Sequence, residues 1–145
     1  MRMSFRSLRP SLFCCLIFFF FGCAGINEMS AQNSFEGAQR DFLQRLRWQD
    51  YAGAASYFSA EQQSSFLTEF QDQKDLHITD VRSVGLESSN EGLSAKQTVD
   101  LEYYALPSLR VRNFRFTLDW SYICEKNNQT GDWKIVNPFP AFPPQ

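Results

Sequence analysis

The chain has 145 residues, enough for one domain. Its 14 Lys+Arg stand against 16 Asp+Glu, for a formal charge of −2, so it lacks the basic excess that draws a protein to nucleic acid or to an anionic lipid surface. His77 is the single histidine, which excludes most metal sites and nucleophilic triads, and there is no glycine-rich phosphate loop; no cofactor and no metal is expected.

In chain order, Arg2, Arg6 and Arg9 give a positive start, and Ser11 to Phe21 (SLFCCLIFFFF) is an uncharged apolar run. The run falls short of the roughly 20 residues of a spanning helix. A basic start, a short apolar run and small residues after it describe a secretory signal. The stretch Phe20-Phe21-Gly22-Cys23 resembles the lipobox of bacterial lipoproteins. That resemblance implies cleavage before Cys23, a diacylglycerol on its sulfur, and, with Ala24 next, delivery to the outer membrane facing the periplasm. The alternative is ordinary cleavage after Ala24 and a secreted or periplasmic soluble protein. The expected organisation is therefore a signal over residues 1–22, an anchor and tether over 23–33, a folded domain over 34–139 and a proline-rich tail over 140–145. Loss of the three leader arginines leaves 11 Lys+Arg against 16 Asp+Glu, about five units negative. Cys23 and Cys124 are then the only cysteines. With Cys23 acylated there is no disulfide framework, and Cys124 is expected as a buried structural thiol.

Ala24 to Asn33 is small and polar, with a flexible reach of roughly 17 Å. Asn33 and Glu36 have capping-box spacing. Phe35, Ala38, Phe42 and Leu46 then recur at helical spacing, with Arg40, Arg45 and Arg47 on the solvated side. Asp50 is expected to cap a short helix over 51–58, and Ser59 to start a third, with Phe66, Leu67 and Phe70 as its apolar face.

From Leu76 the period changes to 2. Leu76 to Leu86 reads as a strand with Leu76, Ile78, Val84 and Leu86 in one phase and Val81 in the other, which predicts a bulge around Asp80. His77 falls on the opposite face from Leu76 and reads as a surface residue. Residues 93–106 give a second strand, with Leu93, Ala95, Val99, Leu101 and Tyr103 apolar and Gln97 as a polar intruder among them. The third strand, Arg112 to Glu125, is the most aromatic: Phe114, Phe116, Leu118, Trp120, Tyr122 and Cys124 alternate with polar residues. Paired residue numbers summing to 215 place Asp100 opposite Arg115, Thr98 opposite Thr117 and Lys96 opposite Asp119, two attractive pairs and a threonine pair. Sums of 217 and 219 lose a pair or oppose Asp100 to Asp119. A turn containing the formal sequon Asn128-Gln129-Thr130 leads to a last strand, Trp133 to Asn137. The prolines after it cannot continue a ladder. They are expected to form a loose end, or an extended tail that docks on a partner or folds back on the domain.

The expected fold is α+β: N-terminal helices packed on a curved four-stranded antiparallel sheet. Residues 40–59, RDFLQRLRWQDYAGAASYFS, and residues 131–139, GDWKIVNPF, resemble the nuclear transport factor 2-like superfamily, which includes ketosteroid isomerase and polyketide cyclases. This resemblance implies a cone-shaped, cystatin-like architecture with a pocket in the concave face. Its candidate lining is Phe42, Phe70, Gln97, Leu101, Tyr103, Phe116, Leu118, Trp120 and Tyr122; the alternative is that these side chains simply fill the cone. The acidic residues Asp100, Glu102 and Asp119 fall on the opposite face, so no general base is expected inside and no catalytic residue is assigned. The expected role is a lipid-anchored, non-enzymatic envelope protein that binds or assembles with an envelope protein partner. The alternative is a pocket protein that binds or transforms a small apolar ligand. Nucleic acid is not expected as a partner.

Overall fold

The structure is a computed structural model that describes residues 24–71, 73–89, 92–124 and 131–144. The leader, Cys23 and the sequon at Asn128 lie outside the described residues. Helices α1 (Ala24–Arg47), α2 (Tyr51–Ala55) and α3 (Ala60–Gln71) precede strands β1 (Leu76–Ser88), β2 (Ser94–Ala105), β3 (Ser108–Ile123) and β4 (Asp132–Ile135). The strands form one antiparallel sheet in the order β1-β2-β3-β4. The α+β class expected from the sequence is the one observed. No helix among the described residues is long and apolar enough to cross a membrane.

The apolar stripe of α1 buries Phe35, Phe42 and Leu46 and half-buries Ala38. The helix starts about ten residues before the expected cap at Asn33, so the segment read as a flexible tether is helical. Ala31, one turn before Phe35, is fully buried, and its carbonyl accepts the indole N–H of Trp133 at 2.8 Å. A small alanine extends the stripe without a visible apolar signal. Asp50 caps α2 through Gly53 N at 3.0 Å, as its position predicts. A Cβ on Gly53 would stand 2.1 Å from Asp50 Oδ2, so this tight corner needs the glycine. In α3, Phe66 and Phe70 are buried.

The β2–β3 pairing has the predicted register. Asp100 pairs with Arg115, Thr98 with Thr117 and Lys96 with Asp119. Ala95, Gln97, Val99, Leu101 and Tyr103 face the helices together with Phe114, Phe116, Leu118 and Trp120. Strand β1 departs from expectation. Its pairing with β2 shifts between Ile78 and Asp80, where a bulge was predicted, and again between Ser83 and Gly85. The first shift turns Val81 inward with Leu76 and Ile78. The second falls at Val84, which is 45% exposed, and brings Leu86 opposite the buried Gln97, on the helix side of the sheet but 49% exposed. Cys124 corrects another expectation: it stands just past the end of β3 and is exposed, because the β3–β4 ladder ends at Ile123–Asp132.

The two edges of the sheet differ. Beyond β4, Ile135 N donates to Tyr57 O at 2.7 Å and Ser59 N donates to Ile135 O at 2.9 Å, so the loop between α2 and α3 covers that edge. Strand β1 is the other edge, and α1 runs beside it. The proline-rich end is not loose. Phe139 is buried, Phe142 packs against the core, and Phe142 N donates to Glu69 Oε1 at 2.9 Å.

Candidate functional site

Most of the expected pocket-lining residues pack against one another under the helices. Phe42, Phe70, Gln97, Leu101, Tyr103, Phe116, Leu118 and Trp120 are buried, and Tyr122 is half-buried at the rim. Ring contacts run continuously through them. Phe42 meets Trp120 at 5.8 Å and Phe58 at 6.0 Å, Phe58 meets Phe66 at 4.6 Å, and Phe66 meets Phe70 at 4.9 Å. Phe139, just past β4, closes the row, 5.2 Å from Phe70 and 4.9 Å from Phe116. The edge-to-face contacts among them, of Phe42 with Trp120 and Phe58 and of Phe139 with Phe116, suit the quadrupoles of the rings.

One polar group interrupts this core. Gln97 is fully buried. Its Oε1 accepts the indole N–H of Trp120 at 2.9 Å, and a donor there fixes which end of the amide is oxygen. Its Nε2 has no hydrogen-bond partner. The cross-strand neighbour of Gln97 on β1 is Leu86. Leu86, Phe35, Ala95 and Trp133 line an apolar cleft of about 220 Å³ between α1 and the far end of β1.

The carboxylates lie on the opposite face of the sheet. Arg115 donates to Asp100 through Nε and Nη2 at 2.6 and 2.7 Å. Arg82 Nη2 donates to Glu102 at 2.6 Å, and Lys96 lies 3.9 Å from Asp119. The Arg115 guanidinium holds the Asp100 carboxyl below the usual carboxylate range. His77 is on this face, its ring stacked on Tyr104 at 5.0 Å.

A polar cluster that the sequence did not single out joins α1 to α2. Arg45 Nε donates to Asp41 at 2.6 Å, and Arg45 Nη1 donates to Asp50 at 2.8 Å. Tyr57 Oη donates to the same Asp41 oxygen as Arg45. The Tyr57 hydrogen bond and then Arg45 lower the Asp41 pKa. Burial, then the bond to Asp41, pushes the Tyr57 phenol up to about 12. A carboxylate held ionised beside a phenol held neutral is a structural brace and a weak proton-transfer pair. The Asp41–Arg45 spacing of four on a helix and the capping position of Asp50 were its sequence signals.

The brace carries a corner of chain. Asp50 N donates to Arg45 O at 2.9 Å and Gln49 adopts φ 60°, which fixes Trp48 with 74% of its surface exposed. Trp48, Arg40, Leu43, Gln44 and Arg47 of the α1 side and Val81 of β1 line a groove of about 420 Å³. Among the described residues no group of three or more His, Cys, Asp or Glu could hold a metal ion.

No protein-family profile matches the chain, and no curated protein matches it in sequence. Solved structures do. A SEC-C motif containing protein from Psychrobacter arcticus is similar with a TM-score of 0.57 and 10% identity, over 87% of this chain and 75% of that one. The fold is shared. A polyketide cyclase-like protein of Xanthomonas campestris is also similar in structure, with a TM-score of 0.45 and 8% identity over 74% of this chain and 92% of that one. At these identities the likeness concerns the fold and carries no activity or ligand.

Proposed function

We propose that this is a lipid-anchored cell-envelope protein, held at the outer membrane by Cys23, whose domain has a nuclear transport factor 2-like architecture and works by binding or assembling with another envelope component. The observation that carries the binding role is the filled helix-covered face of the sheet. Trp120, Phe42, Phe58, Phe66 and Phe116 occupy the volume where a ligand would sit, and the strand carboxylates point the other way in ion pairs. Support for the anchor comes from the basic start, the apolar run and the Gly22-Cys23 step; two or more acyl chains hold a protein stably at about 0.8 kcal/mol per buried methylene.

A second reading, a small apolar ligand, is favoured by the unpartnered Gln97 Nε2 together with the apolar cleft at Phe35 and at Leu86, the cross-strand neighbour of Gln97. A buried donor without an acceptor is costly, and a ligand oxygen would satisfy it. Membrane fractionation and native mass spectrometry test both readings. Cys23→Ser is expected to release the protein from the membrane fraction, and the released protein is expected to have a bare mass. Full membrane retention of the variant overturns the anchor. A small molecule that co-purifies and is lost on denaturation overturns the binding role in favour of the ligand.

A further inference from the structure

We propose that the groove between the C-terminal half of α1 and the edge of β1 is the docking site for a short, extended, acidic segment of a partner protein. This inference rests on the binding role proposed above and names the surface and the chemistry of the partner. Three features converge on it.

The first is the open edge. Natural sheets cover or charge their edges. Here β4 is covered by the α2–α3 loop, whereas the outer edge of β1 has no backbone partner among the described residues and is regular from Asp80 to Ser83, between its two register shifts. An extended segment can add there as a fifth strand, as in other peptide recognition by strand addition.

The second is the anchor. Trp48 is 74% exposed, against 1% for Trp120 and 5% for Trp133, yet its backbone is held by the bonded turn from Gln44 to Asp50. An exposed tryptophan on a held stretch of backbone beside arginines has the composition of an interface hot spot. Leu43 and Val81 supply the apolar floor of the same groove.

The third is charge. The sheet arginines Arg82 and Arg115 are committed to Asp80, Glu102 and Asp100. Arg40 makes no ion pair among the described residues, and Arg47 makes only a 3.6 Å contact with Asp80. The groove is thus locally basic on a chain that is negative as a whole, which suits an acidic partner. The same charge argues against a second copy. A two-fold pair across this edge would bring two grooves of the same charge together, with no acidic surface offered to either. The contacts Gln39 Nε2 to Ser83 Oγ at 3.1 Å and Arg47 to Asp80 mark its two ends. Eight helical steps from Gln39 to Arg47 span about 12 Å, room for about four extended residues.

The experiment uses the full chain in mild detergent and two octapeptides blocked at both ends. One alternates acidic and branched apolar residues; the other has lysine at every acidic position. Because Trp48 is the exposed tryptophan, acrylamide quenching of fluorescence reports on it, and calorimetry measures the affinity. The acidic peptide is expected to bind and to protect Trp48 from quenching, with affinity falling as salt rises. Trp48→Ala and the double variant R40E/R47E are each expected to weaken it by about tenfold or more. These residues are exposed, so neither variant removes core packing. Equal binding of the lysine peptide, or unchanged affinity of Trp48→Ala, overturns the site. Protection of Trp48 without peptide, together with dimerisation in sedimentation, overturns it in favour of a second copy. Cross-linking to an envelope protein with equal yield from Trp48→Ala overturns the groove while leaving the binding role intact.

Discussion

Gln97 is the residue at which the core departs from a purely apolar filling. Its amide oxygen and the Trp120 indole satisfy each other, while Gln97 Nε2 is left without a partner. An unsatisfied buried donor costs about 1–3 kcal/mol, so the pair should be strongly non-additive. Trp120→Phe removes ring volume and strips Gln97 of its one bond; the expected loss is about 2–4 kcal/mol. In the Gln97→Leu background the same change removes an orphaned indole donor, and the loss is expected to shrink by about 1–2 kcal/mol. Urea unfolding of the two single variants and the double variant measures the coupling. Strictly additive losses would mean that the two side chains do not act as a unit.

At the scale of elements, the sheet register was open to reading because like and unlike charges stand at fixed intervals on two adjacent strands. Only one sum puts Asp100 on Arg115 and Lys96 on Asp119, and period-2 alternation leaves a one-residue slip no compromise. Strand β1 resisted the same reading. Two shifts of pairing turn Val81 and then Leu86 to the helix side and leave Val84 exposed between them, and one apolar residue in the opposite phase betrayed only the first shift. The extra helical turns of α1 were hidden by the small size of Ala31. The closing segment was hidden by its prolines, which forbid a ladder but do not forbid packing. Phe139 meets Phe66 and Phe70 of α3 and Phe114 and Phe116 of β3, joining the first and last parts of the domain. Phe142 is half-buried against Phe70, Tyr103 and Phe114. Phe139→Ala is expected to cost about 3–5 kcal/mol, and Phe142→Ala about half of that because part of its ring is already in water. Chemical denaturation ranks the two. Equal and small effects would reduce the closing segment to a surface decoration.

For the molecule as a whole, alternation told which side chains share the helix-covered face, from Phe42 to Trp120. It could not tell how completely they fill it, because filling depends on the volumes of α1, α3 and the closing segment together. The groove at Trp48 was unreadable for a related reason: Arg40 and Arg47 lie on an ordinary solvated helix face until β1 is placed beside them. The same assembly sets the response to pH. Asp41 and Asp100 have pKa values below 3.8 in the folded protein, so their contribution to stability is complete above that value and disappears as pH falls through it toward the folded pKa. Tyr51 and Tyr57 are raised from 10.0 to about 12, so their contribution is complete below pH 10 and is lost as pH rises from there to about 12. The urea midpoint should therefore fall on both the acid and the alkaline side. Asp41→Asn is expected to flatten the acid limb, since the carboxylate that Tyr57 and Arg45 hold ionised is gone. It should also reduce the alkaline limb, because Asp41 is the second cause of the Tyr57 shift after burial. Tyr57→Phe is expected to weaken both limbs as well, while Asp100→Asn should touch the acid limb alone. Midpoints measured from pH 2.5 to 12 separate these cases. If Asp41→Asn leaves both limbs as steep as before, the brace between α1 and α2 does not govern the titration of the fold.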